Sequence, residues 1–140
     1  MIKGNIESFL KKARENRHDD AVKYFLTLDE SDKLNHLVMM AYADSLYELG
    51  KDVISLDAYT KFAFQHPDKE TVNFALFGAA LALKNLDLQD DAFQVLKMID
   101  PGHEGLAKEI EHSLKILNEQ KKAKESVEKL RKLAAGPPTE

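Results

Sequence analysis

The sequence predicts an all-α protein of three stacked helix–turn–helix units closed by a long C-terminal helix. Three observations carry this. Apolar residues recur at the spacing of one helix face along most of the chain. Short segments rich in Asp, Asn, Gly and His interrupt them. A small residue followed four positions later by a large one returns at intervals of 34 and then 37 residues.

The first apolar stripe is Ile6, Phe9, Leu10 and Ala13, spaced i, i+3, i+4, i+7. The second is Ala21, Tyr24, Phe25 and Leu28, and Met39, Tyr42, Ala43 and Leu46 follow. Leu76, Ala79, Ala80 and Leu83 form another, and Leu106, Ile110, Leu114 and Leu117 complete the series. Breakers fall at 16–20, 29–32, 50–52, 66–68, 85–89 and 100–102. The pattern amounts to about seven helices, the last and longest over 103–133. Residues 1–134 make one domain, and the tail 135–140 is expected to be disordered.

The repeat is a packing pattern. Asn16, Gly50 and Asp87 each occupy a turn. Five residues later come the small residues Ala21, Ser55 and Ala92, and four after those the large residues Phe25, Tyr59 and Leu96. Twelve residues before each small residue stand Phe9, Ala43 and Ala80 on the preceding helix. A small side chain lets two antiparallel helices approach, and the large one fills the space beside it.

Composition narrows the function. The 140 residues are 44% hydrophobic and 31% charged, ordinary for a globular domain. There is no cysteine, which excludes disulfides, thiol catalysis and cysteine-ligated zinc. The longest apolar run, 74–83, is far below the roughly 20 residues that span a bilayer. The opening MIKGNIESFLKKARE carries no signal-peptide pattern, so a cytoplasmic location is expected. Residues 1–117 hold 14 Lys and Arg against 20 Asp and Glu, an acidic body that argues against nucleic acid. Residues 118–133 reverse the sign, with six basic and three acidic residues of interleaved charge, the pattern of a solvated helix face.

No catalytic constellation emerges, and the competing reading, an enzyme, lacks a motif. HEGLAKEIEH at 103–112 superficially resembles a metal-binding helix. Its histidines, His103 and His112, are nine apart, about 900° of helical rotation, which sets them on opposite faces. No phosphate-cradling glycine loop and no nucleophile elbow occurs. Asp19–Asp20 and Asp90–Asp91 are read as caps and first-turn charges. No catalytic residue, metal ligand or cofactor is assigned.

The 34-residue period resembles that of the tetratricopeptide repeat (TPR), with units over about 2–35, 36–69 and 73–106. The central unit matches best: Met39 stands at the family's tryptophan position, Tyr42 at its leucine, Ala43 at its first small residue, Leu46 at its tyrosine, Gly50 at the turn, Tyr59 at its second-helix aromatic and Pro67 at the closing proline. The third matches through Leu76, Ala79, Ala80, Leu83, Ala92 and Leu96, with Pro101 three positions early. The first matches mainly in its second helix. The competing arrangement is an irregular helical bundle.

The resemblance implies a short right-handed superhelix whose first helices line a concave groove. The family's groove positions fall on Leu37, Met40, Ala41, Asp44, Tyr47 and Glu48, and on Phe74, Phe77, Gly78, Leu81 and Lys84. The first unit offers Ile6, Glu7, Leu10 and Ala13. Rings at such positions serve equally well as core. Phe77–Gly78 sets a ring beside bare backbone, open to the close approach of a chain. The lysine, asparagine and arginine clamp by which some co-chaperone TPRs hold a C-terminal carboxylate is replaced by Met40, Asp44, Phe77 and Leu81. The implied function is non-catalytic: a scaffold or adaptor holding a hydrophobic peptide or helix of another protein. NFALFGAALAL at 73–83 and ELGKDVISLDAY at 48–59 also resemble the translocator-class chaperones of type III secretion, which hold a hydrophobic client. The last helix caps the stack through 103–117. Beyond it Ala123, Val127, Leu130 and Ala134 either pair with a partner helix or a second copy, or form a solvated end.

Overall fold

The chain reverses direction three times through the same turn. In the computed structural model, which describes residues 4–68, 70–100, 102–103 and 105–136, Asn16, Gly50 and Asp87 adopt the left-handed conformation, with φ of 61°, 74° and 64°. Each follows a helix: α1 (Gly4–Arg14), α4 (His36–Glu48) and α6 (Val72–Asn85). The next amide bonds back to a carbonyl five residues earlier: Arg17 to Lys12, Lys51 to Leu46 and Leu88 to Leu83, each at 2.9 Å. A second bond joins Asn16 to Ala13, Gly50 to Tyr47 and Asp87 to Lys84. This is the Schellman closure, which satisfies the last helical carbonyls and needs a residue tolerant of positive φ.

The residue that completes each closure also opens the next helix. Arg17, Lys51 and Leu88 are the N-caps of α2 (His18–Phe25), α5 (Asp52–Gln65) and α7 (Gln89–Lys97). Their carbonyls accept from the amides of Ala21, Ser55 and Ala92. The three small residues therefore occupy the same helical position, and each is fully buried. Asp19, Asp20, Asp52, Asp90 and Asp91 fall in first turns, where the helix dipole favours them. None caps its helix by a side-chain bond, so the capping expected of the two aspartate pairs is not their role.

Packing proceeds between neighbours along the chain: α1 on α2, α2 on α4, α4 on α5, α5 on α6, α6 on α7, and α7 on α8 (Ala107–Ala134). Contacts also join α1 with α4 and α4 with α6. Three apolar clusters result. Ile6, Phe9, Ala21, Leu28 and Val38 join α1, α2 and the turn after it to α4. Met39, Ala43, Leu46, Ala58, Tyr59, Phe62, Ala75 and Ala79 form the centre. Ala80, Leu83, Ala92, Leu96, Ile99, Leu106 and Leu117 join α6, α7 and α8. Phe25 and Tyr42 stack across the first junction, their ring centroids 3.6 Å apart. Ser55 uses its small polar side chain locally, donating to the Ala43 carbonyl at 3.0 Å.

The architecture is all-helical, with eight helices and no strand among the described residues. The eighth, beyond the seven expected, is the four-residue α3 (Glu30–Lys33), too short to show a stripe. The last helix starts at Ala107 rather than 103 because Asp100 holds a turn: its Oδ1 accepts from the Gly102 amide at 2.9 Å and its carbonyl from the His103 amide at 3.0 Å. Ala135 and Gly136, expected in the disordered tail, instead close α8, with Gly136 at φ 81°. Residues 137–140, Ile2, Lys69 and Pro101 lie outside the described residues. Among the described residues no helix is long and apolar enough to cross a membrane.

Helix α8 has two halves. Leu106 and Leu117 are buried, and Ile110 and Leu114 pack on the same cluster. From Lys121 onward every described residue is exposed.

Two outcomes follow. Ala92→Leu overpacks a fully buried contact and is expected to lose about 1–3 kcal/mol of stability, read by thermal melting. Ending the chain after Gly102 strips a core cluster of its cover and should cause unfolding or aggregation. Ending it after Asn118 should leave the melt nearly unchanged, since exposed ion pairs contribute little.

Candidate functional site

The face of α4 is set by its cap. The Asn35 side chain accepts from the Leu37 and Val38 amides at 2.9 and 3.3 Å. Met39, Ala43 and Leu46 then turn into the core, while Met40, Asp44, Tyr47 and Glu48 share another face. On α6, Ala75, Ala79 and Ala82 are buried and Phe74, Phe77, Gly78 and Leu81 form the corresponding face. These two faces are the walls of an open groove of about 710 Å³. Asn16 and His18 join the lining from the first turn and the start of α2, and Tyr59 from α5.

Tyr59 links the groove to the core. Its ring is buried, and its hydroxyl donates to Oδ1 of Asp44. The ring lies against Gly78, where a Cβ would come within 2.6 Å of Tyr59 Cε1. The bare backbone at Gly78 is thus covered by this chain's own tyrosine. The expectation that it lies open for a foreign chain is corrected by this contact.

The groove is apolar along its walls and acidic at one place. Asp44 and Glu48 stand one turn apart, and no Lys or Arg lines the groove. Desolvation by the walls raises the Asp44 carboxyl above its ordinary value. The Tyr59 hydrogen bond pulls it back, Glu48 raises it further, and His18 lowers it. Burial, then the adjacent Asp44 charge, pushes the Tyr59 hydroxyl far up, so it remains a protonated donor. His18 Nδ1 hydrogen-bonds Ser45 Oγ at 2.9 Å.

Of the groove positions that the resemblance implies, Met40, Asp44, Tyr47, Phe74, Phe77 and Leu81 come together here, with Glu48 and Gly78. Leu37 and Lys84 do not line the groove, each lying about one turn beyond its span. Ile6 is core, and Leu10, Ala13 and Ala41 pack on the same cluster, so α1 supplies no wall. Asn16, His18 and Tyr59 are additions. The signal for Asn16 was its turn and for Tyr59 its place as the large partner of Ser55; none pointed to His18. Tyr47 and Phe77 are half-buried against the core clusters, and Phe74 is 41% exposed, its ring edge-on to His103.

A second cleft, about 540 Å³, lies between the start of α7 and the outer half of α8. Asp87, Asp90 and Asp91 face Lys121, Lys124, Lys129 and Lys132 across it, and Lys124 pairs with Asp87 at 3.2 Å. Glu125 and Glu128 line it as well, so acidic and basic side chains are interleaved within this cleft. Among the described residues no group of His, Asp and Glu is arranged to hold a metal ion.

Gly78→Ala should lower the melting temperature. The clash with a buried, hydrogen-bonded ring costs about 1–3 kcal/mol, more than the roughly 1 kcal/mol that alanine returns in a helix. Asp44 gives a pH signature. The folded chain holds the Asp44 proton more tightly than the unfolded chain. That contribution to stability is full below the ordinary carboxylate value and is lost as pH rises through the raised one. Asp44→Asn keeps an acceptor for Tyr59 and drops the charge. It should melt higher than the parent at neutral pH, with the difference shrinking in acid.

Compared with family models and with curated proteins, the chain matches none.

Proposed function

We propose that this chain is a three-unit TPR-like stack, coiled as a short right-handed superhelix, that holds an apolar segment of another protein in the α4–α6 groove. The observation that carries the reading is the groove itself: Met40, Tyr47, Phe74, Phe77 and Leu81 gathered on two facing walls. Large flexible and aromatic side chains in a concave surface bury much area with adaptable packing. Three identical Schellman turns and three equivalent small residues support the repeat. The role that follows is that of a scaffold or adaptor.

The test combines capture from the native cell with measured affinity for the captured partner. Phe74→Asp puts a charge on an exposed wall position and should abolish binding with the melt intact. The pair Tyr47→Ala and Phe77→Ala should weaken binding, by on the order of 2 kcal/mol for each residue that is a hot spot, and also lower the melt, since both rings pack on the core. Undiminished binding by Phe74→Asp would place the partner elsewhere. A single hydrophobic secreted client would mark the protein as a secretion chaperone, and several subunits of one assembly would mark it as a scaffold.

A further inference from the structure

The groove carries charge of one sign in one place. Asp44 and Glu48 lie within a turn of each other among Met40, Tyr47 and Phe77. No ion pair among the described residues includes either carboxylate. One Asp44 oxygen is engaged by the Tyr59 hydroxyl. His18 hydrogen-bonds Ser45 and also lowers the Asp44 carboxyl, and the remaining ionisable lining residues, Tyr47 and Tyr59, bring no positive charge. The acidic residues of the second cleft, in contrast, already face lysines of α8.

Both carboxylates are exposed in the free chain. An apolar segment lying in the groove would cover them and lower the local dielectric, so a cation carried beside it would interact more strongly there than on an open surface. Two carboxylates there repel one another and any anion, and a cation relieves both effects. A divalent metal ion is a poor match, because it requires several oxygen ligands held together and no group of His, Asp and Glu among the described residues is so arranged. A long side chain with an apolar stem and a cationic head suits both walls and acids.

We infer that the segment held in this groove carries a lysine or arginine beside its apolar anchors, its cation placed at Asp44 and Glu48. This rests on the groove being a peptide site, and it goes further by specifying the partner's chemistry. The occupant is a segment of a separate protein: apolar residues for Met40, Phe74 and Leu81, and a positive charge within one helical turn of them.

The test pans a phage-displayed library of random peptides over the full chain and over its Asp44→Asn, Glu48→Gln double variant. Peptides enriched on the parent are expected to combine aromatic or aliphatic residues with Lys or Arg. The variant should retain the apolar preference and lose the basic one. Replacing the basic residue of a synthetic winning peptide by norleucine should weaken binding to the parent about tenfold, the size of one charge-assisted hydrogen bond, and leave binding to the variant unchanged. Apolar winners without excess basic residues would overturn the cation site and leave the groove standing. Winners that bind Phe74→Asp as well as the parent, or no winners at all, would overturn the groove reading itself. A synthetic peptide of residues 119–136 of this chain, both apolar and basic, is measured alongside. If it binds as tightly as the best winner, the occupant is a second copy and the choice of a separate protein is wrong.

Discussion

Everything in this fold depends on one backbone constraint, the left-handed residue at the end of α1, α4 and α6. It closes a helix and, one residue later, caps the next. The turn thereby fixes both the reversal of direction and the rotational phase of the second helix. With that phase set, the fourth residue of α2, α5 and α7 must face the helix just completed. Only a small residue fits so close an approach, and Ala21, Ser55 and Ala92 are there. A glycine meets the constraint without strain, as Gly50 does. Asn16 and Asp87 meet it with short polar side chains that tolerate the same conformation.

From that phase the groove follows. Tyr59 sits four residues beyond Ser55, on the face directed at α4 and α6. Its ring occupies the space left by the missing side chain of Gly78, and its hydroxyl reaches through to Asp44. The same residue is a core ring at one end and a support for a groove carboxylate at the other. Interior packing and the chemistry of the surface are therefore coupled through a single side chain.

What could be read in the sequence was whatever is local. The turns at Asn16, Gly50 and Asp87 depend on neighbouring residues, and helical spacing gives the core stripes Met39, Tyr42, Ala43, Leu46 and Leu76, Ala79, Ala80, Leu83, while Met40, Asp44, Tyr47, Phe74, Phe77 and Leu81 come from the repeat resemblance. A family's positions do not give the extent of this chain's groove, and the resemblance carries it on to Leu37 and Lys84, which lie past its ends. Nor does it reveal contacts between helices distant in sequence. His18 reaches Ser45 across 27 positions, and Tyr59 meets Gly78 across 19. The late start of α8 was hidden for a different reason: a side chain, that of Asp100, competes with helical hydrogen bonding.

The packing order, helix upon next helix, has a consequence for motion. In a body whose contacts run mainly between neighbours, opening at one end need not propagate through the whole. The α4–α5–α6 centre is held from both sides, whereas α1 and α2 are held chiefly through α4. His18 and Asn16, which complete one end of the groove, therefore belong to the terminal α1–α2 pair rather than to the centre. The walls of this groove thus come from the doubly held centre and one end of it from the terminal pair, so a change in how α1 and α2 seat on α4 would alter the length of the cleft before its width.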